Sequence, residues 1–287
     1  MTERADGLGG DGRAPPWAGH LALSFAYRRN GTVLTRQEAA LPLAFQRPLY
    51  PEGPAHCHGV VLHPPGGIAN GDRLRMDIDL GRDARALLTT PGATKVYRSA
   101  TEALQEVHIT VAAGGWLEWL PQETILFDGA RWRQRTRVDL VPGAVWLGWD
   151  ITRFGRSACG ERFASGNWRA DTEIWRGGRP LWIDRQGLTG GSPLLETPFG
   201  LHGAAVVGTL TWLGEPVTVE LGEACREWWR ACAWPGEAGV TRLESGLLAR
   251  YRGGSTAQVR AWFAAIWDIL RRKYLHVAAC PPRIWNT

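Results

Sequence analysis

Lysine is nearly absent from this 287-residue chain. Of its 33 basic residues only Lys95 and Lys273 are lysines, and the rest are arginine. Alongside abundant Gly, Ala, Pro and Trp, this reads as codon bias rather than a design for nucleic acid, although net charge is +5 and the pI about 9.2. No apolar run approaches the roughly 18 residues of a membrane span. The opening "MTERADGLGGDGRAPPWAGH" lacks the apolar core of a signal peptide, so residues 1–19 read as a disordered leader on a cytoplasmic protein. The five cysteines, Cys57, Cys159, Cys225, Cys232 and Cys280, are odd in number and contain no Cys-x-x-Cys pair, which argues against a disulfide framework or zinc knuckle. Enzyme templates are missing as well. There is no Gly-x-x-x-x-Gly-Lys-Ser/Thr and no His-Glu-x-x-His, and "GRSACGE" (155–161) has Cys159 where a nucleophile elbow needs its last glycine.

What is present is alternation. "LALSFAY" (21–27), "LRMDIDL" (74–80) and "EVHITV" (106–111) place apolar residues at every second position, the signature of half-buried strands. Shorter apolar runs at 59–62, 144–149, 181–183, 204–213 and 216–221 are separated by glycine and proline. Strand follows strand without intervening helical patterns, so the chain reads as mainly β, a single domain over 20–287 built from antiparallel or mixed sheet layers. Two helices are expected near the C-terminus, at about 223–232 and 255–275. The second has a Ser255/Gln258 capping box, apolar residues at three- and four-residue spacing, and Arg271, Arg272 and Lys273 in its last turns. Cys225 and Cys232, seven apart on the first helix, suit apolar packing.

Several groups are candidates for chemistry. In "AHCHGVVLH" (55–63) an extended backbone puts His56 and His58 on one face, flanking Cys57 on the other. Imidazole and thiolate suit nickel, copper or zinc. The same parity as Val60 and Leu62 fits half-buried strand residues equally. "HPPGGIANGDRL" (63–74) packs two prolines and three glycines into nine residues and must be a sharp turn. His63 can hold that turn by a hydrogen bond, and Asp72, beside Arg73, stands where the backbone can approach closely. Asp72, Glu118, Glu123, Asp128, Asp150 and Glu161 read as isolated carboxylates at turns or strand ends. "GARWRQRTRVDL" (129–140) sets Arg131, Arg133, Arg135 and Arg137 on one strand face. Such a ladder can bind phosphates or an acidic partner, or be a solvated or protected face. No aromatic platform accompanies it, which argues against nucleic acid.

In order along the chain, "HPPGGIANGDRL", "LLTTPGATKVYRS" (87–99), "LEWLPQETILFDGA" (117–130) and "GWDITRFGRSACGERFASG" (148–166) resemble the successive signature blocks of the UreD (UreH) urease accessory family, over about residues 20–275. Asn70 stands where that family commonly carries glycine, a substitution the left-handed backbone region tolerates. The resemblance implies a β-rich, non-catalytic maturation chaperone and scaffold with two C-terminal helices. It implies binding to apo-urease and to UreF, which recruits UreG, the partner that hydrolyses GTP. It implies no permanent cofactor. It also implies nickel in transit through an internal polar passage, for which Asp72, Asp150, His56, His58 and Glu161 are the candidate contacts. His63, Pro64, Pro65, Gly66, Gly67, Gly71, Lys95 and Tyr97 are the structural signature. The competing reading is a β-rich metal-dependent hydrolase using His56, His58 and Asp72. A third is a clamp that holds its partners without touching metal.

Overall fold

The computed structural model describes residues 15–286. In chain order the strands are β1 (Ala18–Arg28), β2 (Gly31–Ala40), β3 (Ala44–Phe45), β4 (His56–Leu62), β5 (Arg73–Leu80) and β6 (Arg85–Thr89). They continue with β7 (Thr94–Val96), β8 (Ala103–Val111), β9 (Trp116–Leu120), β10 (Thr124–Leu126), β11 (Arg131–Leu140) and β12 (Val145–Phe154). Then come β13 (Asn167–Arg176), β14 (Arg179–Thr189), β15 (Val206–Leu213), helix α1 (Val219–Cys232), β16 (Glu237–Leu243), β17 (Gly246–Gly253) and helix α2 (Thr256–Tyr274). One sheet has the order β14-β13-β11-β8-β5-β1-β2. The other runs β16-β17-β15-β12-β9-β6-β4-β3, with β7 and β10 attached to one side.

Between β4 and β13 the chain steps from one sheet to the other and back. The strands that become neighbours within a sheet are therefore parallel: β5 with β8, β8 with β11 and β11 with β13 on one side, β4 with β6, β6 with β9 and β9 with β12 on the other. Parallel pairing needs a long crossover, commonly a helix. Here the crossover is a strand of the facing sheet, which is why no helical pattern separates the strands. Antiparallel pairs appear towards the ends, at β1–β2, β13–β14, β12–β15 and β15–β17.

The turn over 63–72 positions one corner of this coil. Ile68 bridges to Val96, which pairs with Leu126, which pairs with Phe154. All four are buried, one side chain per turn of the coil. Ile68 N–H donates to Lys95 O at 2.8 Å and Tyr97 N–H donates to Ile68 O at 2.9 Å. Gly67 is required there, because a Cβ would lie 2.8 Å from Lys95 O and collide with the Tyr97 ring. Asn70 adopts φ +50° and Gly71 φ +81°, so asparagine does occupy the left-handed region.

The inner faces of the two sheets enclose one apolar core. The outer face of the larger sheet forms a second core with the helices, through Trp149, Trp212, Trp262, Phe263, Ile266 and Trp267. Ser255 caps α2, its side chain accepting from Gln258 N–H, as the sequence suggested. Four boundaries differ from the sequence reading. α2 spans Thr256–Tyr274, one residue inside the expected range at each end. α1 starts at Val219, where the Thr218 side chain accepts from Leu221 N–H, so it absorbs part of the run 216–221 that read as a strand. Gly222 inside that helix masked its first turn. Ala18 and Gly19, placed in the leader, belong to β1, and residues 1–14 lie outside the described ones.

Candidate functional site

Strand parity builds a polar compartment inside the inter-sheet core. The inward face of β11 reads Trp132, Gln134, Thr136, Val138, and that of β12 reads Trp146, Gly148, Asp150, Thr152, Phe154, so polar residues sit between apolar ends. With Asp184 and Gln186 of β14 and Thr209 and Thr211 of β15 they enclose about 40 Å³, framed by Trp119, Trp146 and Trp182. That exceeds the space needed for one water or ion. Asp150 is half-buried and lines this cavity. Its carboxylate accepts from Thr152 Oγ1 at 3.1 Å and from Gln134 Nε2. Burial raises its pKa, against those hydrogen bonds, and among the described residues no cation pairs with it. Asp184 accepts from Gln186 Nε2 and from Arg250 Nη2, both at 2.9 Å. Gln186 also reaches Thr209 Oγ1 at 3.1 Å and so ties the two sheets together.

His56 and His58 do share a face, but of a different site. Both are buried, their ring centroids 5.6 Å apart. α2 delivers the fully buried Arg271 between two carboxylates. Its Nε donates to Glu118 Oε1 at 2.8 Å and its Nη2 to Glu118 Oε2 at 3.0 Å, while Nη1 and Nη2 both reach Glu52. The indoles of Trp116 and Trp267 each donate to Glu118 Oε1 at 2.9 Å. Burial alone would raise the Glu52 carboxyl, but hydrogen bonds from His58 and Arg271 outweigh it and hold the group at about 2. Burial, reinforced by Arg271, brings His56 down to about 4. His56 is thus neutral near pH 7, and its 3.6 Å approach to Glu118 is a contact rather than an ion pair. His58 Nε2 lies 2.6 Å from Glu52 Oε1.

One ligand atom each from Glu52, His56 and His58 fall within 4.8 Å of one another, a spacing a metal could bridge. Arg271 Nη2, however, lies 3.1 Å from both Glu52 Oε1 and His56 Nδ1. A divalent ion bonded to these atoms would abut a guanidinium already bound there. The cluster fits a charged latch that fastens α2 and the segment before β4 to β9 better than a metal centre.

The remaining candidates disperse. Asp72 is buried, and its two oxygens accept from Trp17 N–H at 2.8 Å and Ala69 N–H at 3.0 Å, which secures the turn and the entry to β1. Tyr97 Oη donates to Gly66 O at 2.9 Å across the same turn. His63 Nε2 is buried there without a partner among the described residues, while a hydrogen bond from the His63 ring to the Pro65 backbone supports the turn as expected. His63, Pro65, Gly66, Gly67 and Lys95 line a shallow cleft beside it. Glu161 forms a two-pronged pair with Arg156, both contacts at 2.9 Å, near the surface. The arginine ladder is interleaved with acids. Arg75, Glu106, Arg135, Asp171 and Arg185 lie in register across five strands with alternating sign.

Glu52, Asp184, Arg250 and Arg271 escaped notice as site residues in the sequence. Glu118 was read as an isolated carboxylate but is fully buried in the middle of β9. The run "WLEWL" held the clue, since a carboxylate inside a continuous apolar strand needs a buried partner.

Known proteins resemble this chain over nearly its whole length. The profile of the UreD urease accessory protein family matches residues 18–286. The urease accessory protein UreD of Nostoc sp. is 51% identical over 272 residues, covering 94% of this chain and 96% of that one. Those of Thermosynechococcus vestitus and Azoarcus sp. are 47% identical over 271 residues (94% and 98% covered) and 46% over 274 residues (95% and 95%). Matches of this extent and identity leave one conclusion, that the chain belongs to the UreD family of urease accessory proteins.

Proposed function

We propose that this chain is a non-catalytic chaperone and scaffold of urease maturation in the cytoplasm, holding apo-urease and linking it to UreF and to UreG, which hydrolyses GTP. Nickel crosses the chain in transit through the inter-sheet cavity and does not reside there. The observation that carries this reading is Asp150, a carboxylate that lines a polar cavity and has no cationic partner among the described residues. A buried negative charge of that kind favours a cation. Two carboxylates, one of them already paired with Arg250, among neutral hydroxyl and amide groups bind nickel more loosely than an imidazole or thiolate set would, which suits release.

His56 and His58 contribute to α2 docking on this reading, since Arg271 supplies the positive charge beside them. Asp72 serves the turn. The hydrolase alternative needs His56, His58 and Asp72 around one metal, and Asp72 stands apart from the two histidines, bonded instead to Trp17 and Ala69. Asp150→Asn tests the passage, because the amide keeps the shape and removes the charge. The complex with apo-urease, UreF and UreG should assemble as with the wild type by size exclusion with light scattering, while nickel-dependent urease activation falls at least several-fold. Full activation by this variant in an intact complex would rule out Asp150 as a contact. A chain that captures none of the three partners would remove the scaffold reading.

A further inference from the structure

Arg250 lies on β17 opposite Thr209 of β15, in the larger sheet, yet its side chain crosses to the smaller one. Its Nη2 is 2.9 Å from Asp184 Oδ1, and its guanidinium lies 5.4 Å from the centroid of the Trp182 ring, both on β14. The Arg250 side chain is 52% exposed while that of Asp184 is 11% exposed. Asp184 lines the cavity and Arg250 does not. The arginine therefore covers Asp184 from the solvent side, at the edge where the two sheets part.

We propose that Arg250 is the residue that sets how tightly the cavity holds a divalent cation, and that it covers the cavity at the Asp184 edge. The inference rests on the cation-passage reading above and adds to it a determinant of affinity. Asp184 is shared. Its Oδ1 points out to the guanidinium, and its Oδ2 accepts from Gln186, which also lines the cavity. A cation between Asp150 and Asp184 attracts both carboxylates but is opposed by the fixed positive charge just outside. Half of the cavity's negative charge is thereby compensated, and retention stays loose enough for onward transfer. Because Arg250 is half exposed, it can rotate into water when a cation draws on Asp184, and lysine at the same place retains the charge without the planar stack on Trp182.

The test is equilibrium dialysis of the full chain against nickel chloride, comparing wild type with Arg250→Gln, Arg250→Lys, Asp184→Asn, Asp150→Asn and the Arg250→Gln/Asp184→Asn pair. Thermal melting of each variant establishes that it is folded. Saturable binding lost in Asp150→Asn identifies the cavity against surface histidines. For that component Arg250→Gln should bind about tenfold more tightly, equivalent to about 1.4 kcal/mol. Arg250→Lys should stay near wild type, and adding Asp184→Asn should cancel the gain. If Arg250→Gln binds as the wild type does while Asp150→Asn weakens binding, the role of Arg250 is overturned and the passage reading stands. If no variant, nor the wild type, shows a component sensitive to Asp150→Asn, the passage reading fails and this inference with it.

Discussion

Removing the Arg271 guanidinium should be among the most damaging single changes in the molecule. Arg271→Met preserves much of the side-chain volume but leaves Glu52 and Glu118 facing each other without their shared cation. Glu118 is wholly inaccessible and keeps only two indole donors. Breaking a buried pair by deleting one partner costs about 3–5 kcal/mol. A chain of this size shifts its melting temperature by roughly 2–3 °C per kcal/mol, so a fall of roughly 6–15 °C is expected. The assay is thermal denaturation followed by circular dichroism, with urea titration to convert to free energy. Adding Glu118→Gln to Arg271→Met removes the stranded charge, and the double variant should be more stable than the sum of the singles by over about 1 kcal/mol. An Arg271→Met protein melting within about 2 °C of the wild type would refute the latch.

The same cluster should make the fold acid-sensitive. His56 lies at about 4 when folded against 6.5 when free, so its contribution is complete above pH 6.5 and is lost as the pH falls towards 4. Glu52, at about 2 against 4.5, follows below pH 4.5, each on the order of 3 kcal/mol. Melting temperature should therefore fall steadily from pH 7 to 4, and a flat profile over that range would contradict the assignment. Gly67→Ala should open the corner turn, because its methyl meets Tyr97 and Lys95 O, with a loss of about 1–3 kcal/mol in urea titration. Phe199, 98% exposed, should be replaceable by serine with no change in melting temperature and with less aggregation by light scattering.

The strands were legible because their apolar alternation is a local property, read without knowing the partner. β1, β5 and β8 fall where the period-2 runs place them. Their parallel pairing was not legible in the same way, since Glu106 meets Arg135 only through the intervening coil. Asp150 was legible as a residue, but its setting was not. Gln134, Asp184 and Thr209 reach it from three other strands, and parity says which way each points but not what it faces. Glu118 and Arg271 form their pair across 153 positions of sequence. Composition registers both charges, and only the fold brings them together.

The coiled course of the chain also has a consequence for its synthesis. Arg73 pairs with Leu104, Leu104 with Arg133 and Arg133 with Arg169, so each new strand of the smaller sheet must wait for a whole circuit before the next covers it. At ribosomal elongation rates that wait is on the order of seconds, during which a raw β edge is open to neighbouring chains. β11 is the last of the inner strands to be covered by a parallel partner, and it carries Arg131, Arg133, Arg135 and Arg137 along its outward face. Two nascent copies meeting edge to edge at this point would align like charges. Arg133, Arg135 and Arg137, which pair with acids in the finished sheet, thus repel the wrong partner before the right one has been made.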